Sequence, residues 1–431
     1  MSRREPRRWP IALALILLVA GMGAVLLGLS CLGEGGGLGF VRPTPTVTPF
    51  PTTPAPTATE PILPPPPTAT RGSTPSPAGQ TAIPGEPSPW STASTTATLA
   101  PVPTYSLTGC SSPSAVPSPW PAPADKGLYS LRQRLGVCGA GPSAVQDSAR
   151  RLGFGWYLDW HASPSRFYPA EVEYVPMIRL QGGEAGPSDR ALLAAVDALP
   201  GALWLIGNEP DVKWQDNVTP DAYAQAYHDL YILLKTRDPS CRVAIGGVSQ
   251  PTPLRLRYLD LILEAYQSLY GEPMLVDVWN VHNFVLREER DSWGVDIPPG
   301  MTQQTGCLRE IADHDDMAIF QQQILDFRRW MEERGHRNKP LIVTEYGILM
   351  PADYGFPPQQ VERFMLDTFE FFRTAADPVL GYPADGYRLV QRWCWYSLAD
   401  DRYPTGNLVQ SDSGELTSLG VAFYKYANSS P

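Results

Sequence analysis

From about residue 131 to residue 426, short apolar runs alternate with helix-patterned segments. The runs are Leu135–Cys138, 153–160, 172–180, 202–209, 242–248, 276–282, 340–345 and 390–396. Helical patterns follow at 143–152, 188–199, 219–235, 254–270, 316–334, 358–373 and 418–426, one of them opened by Thr219-Pro220-Asp221. Alternation of this kind implies a parallel sheet with helices on its faces. Eight such units close into a (β/α)₈ TIM barrel at the usual length of about 250 residues plus insertions. A doubly wound sheet that binds nucleotides would carry a Gly-rich first turn. Neither G-x-G-x-x-G nor G-x-x-x-x-G-K occurs, and Gly139-Ala140-Gly141-Pro142 has the wrong spacing.

The alternation does not reach the N-terminal part. Residues 41–125 hold 23 of the 47 Pro and only five charged side chains. Such a stretch cannot bury enough apolar surface to offset its ordering entropy. The expected organisation is a basic tail at 1–10, an apolar segment at 11–32, a disordered Pro/Thr/Ser-rich stalk at 33–125 and an α/β domain at 126–431. Residues 11–32 are uncharged and have about the length that spans a bilayer. Arg3, Arg4, Arg7 and Arg8 would stay cytoplasmic, placing everything after residue 33 outside. The expectation is therefore a membrane-anchored, extracytoplasmic protein. A cleaved signal peptide is the alternative, though the run is long for one and lacks a clear cleavage site.

Residues 126–431 carry 28 Lys or Arg and 39 Asp or Glu. An acidic domain repels phosphate backbones, so no nucleic-acid partner is expected. None of the six Cys shows CxxC or CxxH spacing, which removes support for structural zinc. One disulfide is open to the Cys residues beyond Cys31, though the spacing does not name it, and singly buried thiols are the expected reading. The five His show no His-x-x-x-His or His-Glu-x-x-His spacing, so neither metal nor cofactor is expected. No G-x-S-x-G elbow supports a serine hydrolase. The sequence carries no expectation of oligomeric state.

Chemistry in such a barrel sits at the C-terminal ends of the strands. Those ends read Asp159-Trp160-His161, Asn208-Glu209-Pro210-Asp211, His282-Asn283-Phe284, Thr344-Glu345-Tyr346-Gly347 and Trp393-Cys394-Trp395-Tyr396. A carboxylate closing an apolar strand is costly without a partner or a task. Glu209 and Glu345 would face one mouth, and two carboxylates about 5 Å apart suit retaining glycoside cleavage. Trp and Tyr rings nearby would stack on sugar C–H faces. Asp159, His161, Arg179, Asp211 and Trp214 are secondary candidates.

The Asn208-Glu209-Pro210 and Thr344-Glu345-Tyr346-Gly347 ends resemble those of the clan A glycoside hydrolases, retaining (β/α)₈ enzymes. The resemblance implies that Glu209 is the acid/base and Glu345 the nucleophile. It implies sugar contacts from Asn208, His282 and Trp395. His282-Asn283-Phe284 is similar to a His-x-Tyr, with Phe in place of the Tyr whose hydroxyl would reach the nucleophile. Tyr346 is the candidate substitute. The expected function is hydrolysis of extracellular poly- or oligosaccharide, with the pKa of Glu209 raised by its neighbour. Specificity is assigned to the loops 285–315 and 399–414. The alternative is a non-catalytic glycan-binding barrel displayed on a stalk. An aldolase-like enzyme is disfavoured, since no strand ends in Lys.

Overall fold

The computed structural model describes Cys110 and residues 120–125, 127–139 and 146–429. The expected basic tail, the apolar segment and most of the Pro-rich stretch lie outside the described residues. Among the described residues, no helix is long and apolar enough to cross a membrane.

The domain is α/β with parallel strands. Six of them, β1 (Leu135–Cys138), β2 (Trp156–Leu158), β3 (Glu173–Tyr174), β9 (Trp279–His282), β10 (Leu341–Glu345) and β11 (Arg392–Trp395), pair in the order β3-β2-β1-β11-β10-β9. A second sheet orders β4 (Met177–Ile178), β7 (Leu203–Ile206) and β8 (Arg242–Ile245) as β4-β7-β8. Parallel bridges Ala244↔Val278 and Val248↔Val281 join the edge of β8 to β9. On the other side, Val175 N donates to Tyr157 O (3.0 Å) and Leu205 N to Pro176 O (3.0 Å). Residues 173–178 thus pair with β2 first and β7 afterwards. Pro176 lacks an N–H, and the run expected at 172–180 is split there into β3 and β4. An antiparallel hairpin, β5 (Leu180–Gln181) with β6 (Glu184–Ala185), follows.

The central strands are buried on both faces, as near-continuous apolar runs require. The connecting helices are α1 (Leu131–Arg134), α2 (Gln146–Arg151), α3 (Asp189–Ala198), α4 (Pro220–Arg237), α5 (Pro253–Tyr270), α6 (Met317–Glu333), α7 (Pro358–Thr374) and α8 (Ser418–Ala427). α4, α5 and α7 begin with Pro, whose fixed φ suits the first helical position. α6 is capped by Asp316, which accepts from Ala318 N (2.8 Å) and Ile319 N (3.0 Å). α7 buries Val361, Phe364, Met365, Thr368, Phe369 and Phe372, a stripe at helical spacing.

The expectation of singly buried thiols is corrected at one pair. Cys110 and Cys307 form a disulfide with Cα atoms 4.9 Å apart. Cys138, Cys241 and Cys394 are free and buried. Trp120 packs on Phe371 with ring centroids 5.3 Å apart, and Ala124 N donates to Gly386 O (3.1 Å). The end of the Pro-rich stretch is therefore laid onto the folded domain.

Candidate active site

The turn after β7 brings Glu209 to the strand ends. Gly207 takes φ 89°, and Glu209 itself takes φ 43°. The left-handed region is costly for Glu and persists only where the surroundings impose it. Glu209 N donates to Gly247 O (3.0 Å), and Val212 N to Glu209 O (3.0 Å). Asp216, fully buried, accepts from the backbone N–H of Asn208 (2.7 Å) and Leu180 (2.8 Å) and from Arg179 Nε (2.5 Å). The Asp216 carboxylate thus sets the path of the chain immediately before Glu209.

Glu209, His282 and Glu345 converge from β7, β9 and β10. His282 Nδ1 lies 2.9 Å from Glu209 Oε1, and its Nε2 lies 3.6 Å from Glu345 Oε1. One oxygen of each carboxylate and one ring nitrogen all fall within 4.8 Å of one another. A Cβ on Gly247 would stand 2.5 Å from His282 Cδ2, so only Gly permits the ring to sit there. Trp160 Nε1 donates to Glu345 Oε1 at 2.7 Å.

Burial pushes the Glu345 carboxyl up to about 7, with the charge of Glu209 adding to the rise; His282 and the Trp160 N–H pull against it. Burial works against a charged His282. The two carboxylates outweigh it and raise the imidazole above its ordinary value. Glu345 is the more enclosed of the two carboxyls. The trio could also offer ligand atoms to a cation.

A buried cation supports the site from behind. Arg255 Nε donates to Asp211 Oδ2 (2.6 Å) and Ser249 Oγ (2.7 Å). Its Nη1 pairs with Glu288, and its Nη2 donates to Val295 O (3.1 Å) and Asp296 O (3.2 Å). Glu288 Oε2 accepts from Cys307 N (2.6 Å). One guanidinium thereby ties the loops after β7, β8 and β9 together, and the disulfide loop with them.

Glu209 and Glu345 line a cleft with a cavity of about 260 Å³. Its walls include Arg179, Trp214 and Gln215 on one side and Leu286, Gly294 and Val295 from the loop 285–315. Arg402 and Tyr403 come from the loop 399–414, and Tyr396 closes the end of β11. Both loops assigned to specificity thus contribute walls.

Asn208 is buried beside Glu209, with its Nδ2 3.4 Å from Gln215 Oε1. Tyr346 and Trp395 are not brought to the cleft. Tyr346 is fully buried, its hydroxyl 3.4 Å from Thr368 Oγ1. Trp395 donates from Nε1 to Gly406 O (2.7 Å) and packs edge-on against Tyr346. Side chains alternate faces along a strand, so these two point away from the face that carries Glu345 and Tyr396. Of the secondary candidates, Arg179 and Trp214 line the cleft. Asp211 serves Arg255. Asp159 is buried and accepts from Tyr174 Oη (2.8 Å), while His161 is exposed. Trp160 and Tyr396 went unselected in the sequence, although each sits one position from a residue that was named.

Residues 136–290 match the glycosyl hydrolase catalytic core. The match supports glycoside hydrolase activity within the glycosidase superfamily and specifies no family. It contains Asn208, Glu209 and His282 and ends before Glu345. No curated protein matches the chain. Among solved structures, a GH128 subgroup II endo-β-1,3-glucanase from Sorangium cellulosum is 17% identical at TM-score 0.45, covering 68% of this chain and 97% of its own. A subgroup I endo-β-1,3-glucanase from Amycolatopsis mediterranei, bound to laminaritriose, is 20% identical at TM-score 0.46, with 69% and 100% covered. A subgroup III curdlan-specific exo-β-1,3-glucanase from Blastomyces gilchristii is 21% identical at TM-score 0.44, with 67% and 97% covered.

Proposed function

We propose that this chain is a retaining O-glycoside hydrolase acting on poly- or oligosaccharide at the mouth of a (β/α)₈ barrel. The observation that carries the reading is the spacing of Glu209 and Glu345, whose nearest oxygens lie within 4.8 Å at the floor of a cleft. Retaining enzymes hold their carboxyl groups about 5 Å apart, and inverting ones leave about 6.5–9.5 Å for a water. Support for the barrel comes from the bridges between β8 and β9 and from the shared pairing of residues 173–178.

In the first step a Glu345 oxygen attacks the anomeric carbon as the bond to the leaving oxygen breaks. Glu209 delivers a proton to that oxygen, and a glycosyl-enzyme remains. In the second step Glu209 takes a proton from water, which attacks the same carbon and releases Glu345. Burial and the charge of Glu209 push the Glu345 carboxyl up to about 7, which favours proton uptake in the space the two carboxylates share. His282 links the two, within 2.9 Å of one and 3.6 Å of the other.

The reading extends to location. The apolar residues 11–32 and the Arg residues ahead of them support a membrane anchor, with the barrel outside. The Cys110–Cys307 disulfide supports an oxidising compartment. Recovery of the full chain in the soluble medium, with its N-terminus removed, would replace the anchor with a cleaved signal.

The test is turnover on aryl β-glycosides and on β-1,3-, β-1,4- and β-1,6-linked glucans, with product anomers followed by NMR. Glu345→Ala and Glu209→Ala should remove turnover while the chain stays folded, and the first-formed anomer should keep the substrate configuration. Inverted product, or turnover that survives Glu345→Ala, sinks the mechanism. Glycan binding with no Glu-dependent turnover selects the non-catalytic barrel.

A further inference from the structure

We propose that Trp160 is the positioning residue for Glu345, its indole N–H taking the place of the hydroxyl that Phe284 lacks. The proposal rests on Glu345 being the nucleophile. Phe284 lines the cleft but offers no donor. Tyr346, the other candidate, turns its hydroxyl to Thr368 in the core. His282 Nε2 stays 3.6 Å from Glu345 Oε1. The Trp160 Nε1–H, at 2.7 Å, is within hydrogen-bonding distance.

The backbone at Trp160 points the same way. Its φ is 60°, in the left-handed region, where a bulky aromatic residue is an outlier. Such a conformation persists where the surroundings over-determine it, and it gathers at functional sites. His161 Nδ1 lies 2.6 Å from Asp159 O, closing the turn, and the Trp160 ring sits 6.0 Å from that of Tyr396. The turn aims the indole N–H across the strand ends at β10.

An indole is a donor only, whereas a phenol both donates and accepts. A hydroxyl could accept the carboxyl proton of a neutral Glu345 and so stabilise either form. The Trp160 N–H can only donate, so it favours the anion over the neutral acid, and it fixes which oxygen is engaged. Oε1 is held, leaving Oε2 for attack on the sugar. The same bond lowers the carboxyl against the rise that burial imposes.

Other groups act on Glu345 as well. Glu209, His282 and Arg179 interact with it from β7, β9 and the segment after β4. Cys138, Cys394 and Tyr396 interact with it from β1 and the end of β11. Trp160→Phe leaves those residues unchanged but removes the pyrrole ring along with the N–H, so benzothienylalanine at position 160, which removes the N–H alone, is measured beside it.

The experiment is the pH profile of kcat and KM for wild type and Trp160→Phe. Glu345 must be ionised to attack, so the acid limb of kcat should move to higher pH by about one unit, the scale of a charge-assisted hydrogen bond. At about pH 6, kcat should fall roughly tenfold with KM nearly unchanged. A folded variant whose acid limb and kcat match wild type overturns the proposal. Should Trp160→Phe not fold, benzothienylalanine at position 160 removes the N–H while keeping the ring shape, and the same outcomes apply. A wild type without turnover refutes the glycosidase reading separately. The ¹³C titration of the Glu345 carboxyl in both proteins then decides: a higher pKa in the variant supports the hydrogen bond's role, and equal values overturn it.

Discussion

Glu345→Gln should make the protein more stable at alkaline pH while abolishing its turnover. A buried carboxyl moved from 4.5 to about 7 carries about 3 kcal/mol of penalty once ionised, at 1.36 kcal/mol per unit. The folded state binds this proton more tightly than the unfolded chain does. Its contribution is therefore fully present below about pH 4.5 and is lost as pH rises through about 7. Gln keeps the size of the side chain and an oxygen for the Trp160 N–H, but cannot ionise. Above neutrality the variant escapes the penalty, and at acid pH it escapes nothing. A domain of this length gains roughly 2 °C in melting temperature per kcal/mol, so a rise of about 6 °C is expected at alkaline pH. The assay is thermal unfolding of wild type and variant at about pH 8.5 and about pH 4. A gain of the same size at both values, or none at about pH 8.5, would refute the reasoning, because the benefit must follow the ionisation.

Two further outcomes test the frame around the cleft. Arg255→Met leaves Asp211 and Glu288 buried without their cation. It should cost about 3–5 kcal/mol in urea unfolding, and a loss well below that would mean the cluster relaxes or takes up protons. Reducing the Cys110–Cys307 bond opens a closure of 197 residues, which chain entropy values at up to about 5 kcal/mol. Melting with and without reductant measures it. An unchanged transition would show that the loop 285–315 is ordered without the bond.

The strands and helices were largely legible because each is short, apolar and punctuated. β1 coincides with the expected run, and β10 starts within a residue of it. The Pro-opened helices α4 and α5 begin within a residue of the expected starts. Glu209, His282 and Glu345 were legible because a strand end has few alternatives for a carboxylate or an imidazole. Which aromatic residues reach the cleft was harder. Trp395 and Tyr396 differ by one position, and one position reverses the face. Strict period-two counting from Glu345 would have placed Tyr346 in the helix layer. Trp160 depends on a backbone turn that a Trp side chain does not advertise. The disulfide joins residues far apart in sequence, and no local pattern encodes such a pairing.

That disulfide also redraws the route by which force crosses the molecule. A pull applied through the N-terminal stretch arrives at Cys110 and passes directly to Cys307, so the strands from β1 to β9 lie inside a closed ring and bear none of it. Glu209 and His282 are inside that ring. Glu345 lies outside it, on the segment 308–431, which alone can lengthen under tension. The two carboxylates of the pair therefore stand on opposite sides of the covalent closure.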